Sequence, residues 1–142
     1  MAASYTVLPL DDDARQWLSK KRIEVRDEWA PGRYPTLAEL RTALDGLPGC
    51  QVEYKISPGT WQATVSRQDG SWASLVVLDY DPVSHSEGKP QRFYFEKGSE
   101  DLIHTIVRSL AEPCGSLVVF SNADMSPKVM VPAETPTSGK TW

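Results

Sequence analysis

The chain has 142 residues, of which 40% are hydrophobic and 24% charged, and carries a formal net charge of −4. This length and balance predict one globular domain with a single core and exclude disorder throughout. The negative charge argues against nucleic-acid binding, which needs a basic face to neutralise phosphates. No apolar stretch approaches membrane-spanning length, and the start MAASYTVLPLDDD lacks a basic segment followed by an apolar run, so the expectation is a cytoplasmic protein without a membrane partner. Cys50 and Cys114 stand far apart and outside any metal-spaced pattern; Cys114 reads as a small buried hydrophobe.

In chain order, Tyr5 to Leu8 reads as a short strand that adds to a sheet edge. Residues 11 to about 22 form the first helix: an Asp cap, then Ala14, Trp17 and Leu18 on one side. Asp11 to Asp13 at its start and Lys20, Lys21 and Arg22 at its end complement the helix dipole. The pattern allows a continuation toward Val25 and Trp29 before Pro31-Gly32 stops it. Thr36 and Glu39 then form a capping box, opening a second helix over 36–46 with Leu37, Leu40, Leu44 and Leu47 as its apolar stripe.

From Cys50 the period changes to two. Val52, Tyr54 and Ile56 alternate with polar residues, as do Trp61, Ala63 and Val65 after the Pro58-Gly59 turn. Asp69-Gly70 read as a two-residue hairpin loop sets Gln68 opposite Ser71. Val65 then faces Ser74, Ala63 faces Val76 and Trp61 faces Leu78 on the core side, leaving Thr60, Gln62, Leu75, Val77, Asp79 and Asp81 on the opposite face. A strand apolar on both faces implies a central position and a cover, either a helix or a partner. Gln91 to Glu96 follows as a fourth strand that sends Tyr94 to the face opposite Phe93 and Phe95. Ser99 opens a third helix with Leu102, Ile103, Ile106, Val107 and Leu110 buried, ended by Pro113. Leu117 to Phe120 is a fifth strand. The whole predicts a single α+β domain over 1–132, with a mainly antiparallel four- to five-stranded sheet, two to three helices packed on one of its faces, and a flexible tail over 133–142.

Candidate chemistry centres on LVVLDYDPVSHSEG, residues 75–88. An apolar strand running into Asp79-x-Asp81-x-Val83 resembles the first motif of haloacid-dehalogenase-like phosphatases, and Ser116 to Asn122 resembles their second. The resemblance implies Asp79 as nucleophile, Asp81 as general acid, Ser121 as a phosphate ligand and Lys128 as the family's lysine. The family's first motif ends the leading strand of a parallel sheet, whereas Asp69-Gly70 makes this strand the return arm of an antiparallel hairpin. Beyond Lys128 the only acid is Glu134, so the acidic motif that completes the magnesium site is missing. Asp79 and Asp81 with His85 are a second candidate, for a hard cation. His104 lies on the polar side of the third helix, and no nucleophile elbow or phosphate loop is present.

The reading that follows is a non-enzymatic protein-binding module without a cofactor, in general character similar to bacterial toxin-neutralising immunity proteins and small adaptors. Its contacts would be Thr60, Gln62, Leu75, Val77, Asp79, Asp81 and Tyr94, the carboxylates steering a basic partner. The alternative is a small metal-dependent hydrolase or phosphatase centred on Asp79 and Asp81. A homo-oligomer built on the same face is a further expectation.

Overall fold

The computed structural model describes residues 4–78, 80, 90–123 and 126–132. Its elements are β1 (Tyr5–Pro9), α1 (Asp12–Lys20), α2 (Leu37–Asp45), β2 (Cys50–Ser57), β3 (Thr60–Arg67), β4 (Trp72–Val77), β5 (Phe93–Gly98), α3 (Glu100–Cys114), β6 (Leu117–Ser121) and β7 (Lys128–Met130). The strands form one seven-stranded sheet in the order β2-β3-β4-β5-β1-β6-β7, and every neighbouring pair is antiparallel. The α+β class and the single antiparallel sheet are as expected, but the sheet is larger. β1 lies inside it, between β5 and β6, rather than at an edge. The short β7 was not foreseen.

Helix boundaries follow local chemistry. Asp11 caps α1 by accepting a hydrogen bond from the Ala14 N–H at 2.8 Å. The helix ends earlier than its apolar pattern suggested. Arg22 adopts a left-handed conformation with φ 62°, and the Ile23 N–H donates to the Leu18 carbonyl while the Arg22 N–H donates to that of Ser19. This is a Schellman reversal, completed by Ile23 and Leu18 packing in one apolar cluster. Val25 and Trp29 still join that cluster, as chain that returns along α1. The α2 capping box is present in both directions: Thr36 Oγ1 accepts from the Glu39 N–H at 3.1 Å, and the Glu39 carboxylate accepts from the Thr36 N–H at 3.0 Å.

The register of the β3–β4 hairpin differs by one residue from the expectation. The Gly70 N–H donates to the Arg67 carbonyl and the Arg67 N–H to that of Ser71, so the loop is Gln68-Asp69-Gly70, with Gly70 at φ 91°. A turn followed by a left-handed glycine bulge adds one residue relative to a two-residue loop, and Asp69 Oδ1 holds it by accepting from the Ser71 N–H and hydroxyl at 2.9 and 2.6 Å. Ala63 therefore pairs with Leu75, Val65 with Ala73 and Gln62 with Val76. A one-residue slip exchanges the faces of a strand, so Leu75 and Val77 enter the core, at 0% and 3% exposure. Trp61, Ala63 and Val65 are on the core side as expected.

The helices occupy both faces, correcting the one-face expectation. α2 and α3 cover the face carrying Val7, Trp61, Leu75, Phe95 and Val119, and the α3 stripe from Leu102 to Leu110 is fully buried against it. Each such aliphatic side chain contributes about 2 kcal/mol of burial. α1 lies on the other face, where Ala14 and Leu18 pack on Val118, Leu8 and Val129, and Trp17 meets Phe120 with ring centroids 5.0 Å apart. β6 is buried at every position because it is sandwiched between the two layers.

Backbone hydrogen bonds tie the return segment after Trp29 to the chain following β1 and to the end of α3. The Gly32 N–H donates to the Leu10 carbonyl, Leu10 N–H to that of Ser116, and Arg33 N–H to that of Cys114. A Cβ on Gly32 would fall on the Ser116 carbonyl oxygen, so Gly32→Ala is expected to cost about 3 kcal/mol in urea unfolding. Gly49→Ala, where the added methyl meets open space and only the φ of 71° opposes it, is expected to cost about 1 kcal/mol.

Candidate functional site

Among the described residues, one helix lies on the second face and leaves much of it uncovered. A helix covers about 10 Å, whereas seven strands at about 4.8 Å spacing span about 29 Å. α1 takes the β1-β6-β7 side, and among the described residues no helix covers that face of β2, β3, β4 and β5. The half-buried Thr60, Gln62 and Thr64 of β3 stand there beside Trp72, Ser74 and Val76 of β4 and Tyr94 of β5. Gln62 Nε2 donates to Ser74 Oγ at 2.7 Å, which satisfies the buried Ser74 hydroxyl and fixes the amide. Trp72 and Leu78 are 42% and 39% exposed, two of the three large hydrophobic side chains most open to solvent among the described residues.

Of the residues expected to form a binding face, Thr60, Gln62 and Tyr94 are thus brought together. Leu75 and Val77 are not: the hairpin register places them under α3, and they cannot touch a partner on the second face. Val76 and Leu78 take their place. Asp79, Asp81 and His85 lie outside the described residues. The signal that would have selected Val76 over Leu75 is Ser71 after Asp69-Gly70, whose N–H and hydroxyl both reach the Asp69 carboxylate and favour the longer loop.

A cleft of about 500 Å3 lies where α1 meets β1 and β6, lined by Leu8, Asp11, Asp13, Trp17, Tyr34 and Phe120. Three aromatic rings wall it and two carboxylates stand at its helix side. Burial pushes the Tyr34 hydroxyl above its ordinary pKa, so it stays a neutral hydrogen-bonding group.

Among the described residues, the strands carrying the two segments that resemble the phosphatase motifs are not neighbours. β6 runs antiparallel to β4 with β5 and β1 between them, and Ser121 pairs with Tyr5, level with Phe95 and Leu75 rather than with the end of β4. Its hydroxyl accepts from the Ala123 N–H at 3.0 Å. No group of three His, Cys, Asp or Glu side chains among the described residues could hold a metal ion, and none of the described helices is long and apolar enough to cross a membrane.

The strongest electrostatic cluster lies on the α2–α3 side. Arg33 grips Glu39 with both guanidinium nitrogens at 2.8 and 2.7 Å, and its Nη2 also donates to the Pro113 carbonyl. These bonds, with the Thr36 N–H, hold the Glu39 carboxyl at about 2. The Cys114 thiol beside it is pushed up to about 11, first by burial and then by the Glu39 charge. That is the environment of an inert thiol. A carboxyl held below its unfolded value stabilises the fold fully above about pH 4.5 and loses that contribution as pH falls through about 2. Glu39→Gln is expected to lower stability at pH 7 by about 1–2 kcal/mol, a value reduced by the solvent around Arg33. The difference from the parent chain should vanish by pH 2 in a series of urea titrations. Comparison with family models, curated proteins and solved structures finds no match to this chain.

Proposed function

We propose that the chain is a non-enzymatic protein-binding module, of the toxin-neutralising or adaptor kind, whose partner docks on the bare half of the sheet's second face. The observation that carries this reading is the apolar surface formed by the exposed Trp72 and Leu78 with the half-buried Val76 and Tyr94, opposite a packed core face. Large aromatic and aliphatic side chains rimmed by Thr60, Gln62 and Thr64 suit an interface centre with a hydrogen-bonding border. A basic partner is favoured by the net charge of −4 and by the cleft between α1 and the sheet. There the rings of Trp17, Tyr34 and Phe120 and the carboxylates of Asp11 and Asp13 suit a cationic side chain.

Affinity capture from the native cell followed by titration of the captured protein tests the proposal. Val76→Glu and Trp72→Ser are expected to weaken binding at least about thirtyfold, Asp13→Lys to weaken it and lessen its salt dependence. Thr42→Glu, on the exposed side of α2, should leave it unchanged. A partner that binds Val76→Glu as tightly as the parent chain while losing affinity for Thr42→Glu would place the contact on the other layer and refute the proposal.

A further inference from the structure

Among the described residues, β2 is the sheet's long free edge. Its eight residues pair with β3 at every position without a bulge, it contains no proline, and no described strand lies on its outer side. The opposite edge, β7, has three residues. An unblunted edge of this kind is a template for another strand.

Its polarity can be read from the hairpins. The Arg67 N–H points at Ser71, on the β4 side, so along β3 the residues Thr60, Gln62, Thr64 and Ser66 direct their backbone groups to β2, and their partners there are Ser57, Lys55, Glu53 and Gln51. By alternation the N–H and C=O groups of Val52, Tyr54 and Ile56 face outward. Their side chains lie on the α2 face, where the Tyr54 hydroxyl donates to Asp45 Oδ1 at 2.7 Å and Arg41 stacks over the ring at 4.7 Å. The edge is therefore sterically clear of Tyr54, while Ile56 is 40% exposed. On the other face Glu53 and Lys55 are exposed, and neither forms an ion pair with another described residue.

We propose that β2 pairs with β2 of a second copy of this chain, antiparallel about a two-fold axis at Tyr54, joining two sheets into one. In this register the outward N–H and C=O groups of Val52, Tyr54 and Ile56 bond those of Ile56, Tyr54 and Val52 of the second copy. Val52 covers the exposed Ile56, and Glu53 stands opposite Lys55 of the second copy, twice over by symmetry. The neighbouring symmetric registers centre on Glu53 or on Lys55 and place like charges directly against each other. Opposite charges two residues apart thus select a single register and reject its neighbours. The surface is distinct from the face proposed for the partner, and each reading can fail alone.

Sedimentation equilibrium of the full chain over concentrations up to about 1 mM tests it. The parent chain is expected to show a monomer–dimer equilibrium. Glu53→Lys and Lys55→Glu should each weaken dimerisation about tenfold or more. Mixing the two variants, or combining them in one chain, should restore it, because either arrangement again opposes unlike charges. Val52→Pro removes an outward N–H that β3 does not use and should abolish the dimer, with circular dichroism showing the fold retained. A monomer at every concentration overturns the proposal, as does a dimer indifferent to the single charge reversals or one whose loss is not rescued by mixing.

Discussion

The structure depends on the pairing of β1 with two strands distant in the chain. β1 bonds β5 on one side and β6 on the other, and the Asn122 N–H reaches the Ser4 carbonyl at 2.9 Å to close the far end. Without it the sheet would be two fragments, a meander from β2 to β5 and a β6–β7 pair. With it, α3 has one continuous floor for its apolar stripe, and α1, which follows β1 directly, is delivered to the second face. The bare surface is the complement of that delivery: a nine-residue helix tied to β1 by Leu10 cannot also shelter β3 and β4.

Much of the architecture was legible because it is local. The capping box of Thr36 and Glu39, the α3 stripe and the Pro58-Gly59 and Asp69-Gly70 reversals are each decided within a few residues, and the structure has them. β1 was legible as a strand, since Tyr5 and Val7 alternate with Thr6 and Leu8, but not as an interior one. Its two neighbours begin about 90 and 110 residues later in the chain, and no short-range pattern encodes such a pairing. β7 is too short for alternation to distinguish it from loop.

The site shows how a small local ambiguity propagates. Asp-Gly serves both a two-residue loop and the end of a bulged three-residue loop, and the difference inverts β4. Leu75 and Val77 then read as surface, Val76 and Leu78 as core, and the structure has the reverse. The expectation that the second face bears apolar side chains survives the inversion because β4 is apolar at both parities near its end. The sandwiched β6 carries the same signature for a different reason, being covered by helices on both sides.

The placement of β1 also has a consequence in time. During synthesis at about 5–20 residues per second, β1 leaves the ribosome before the other six strands and precedes β6 by roughly 5–20 s, with β5 emerging only a little sooner than β6. Until β5 emerges β1 has neither of its sheet neighbours, and the meander from β2 to β4 is the part of the sheet able to form. Of the seven strands the interior β1 is therefore the first made and among the last secured, because both of its neighbours lie far along the chain.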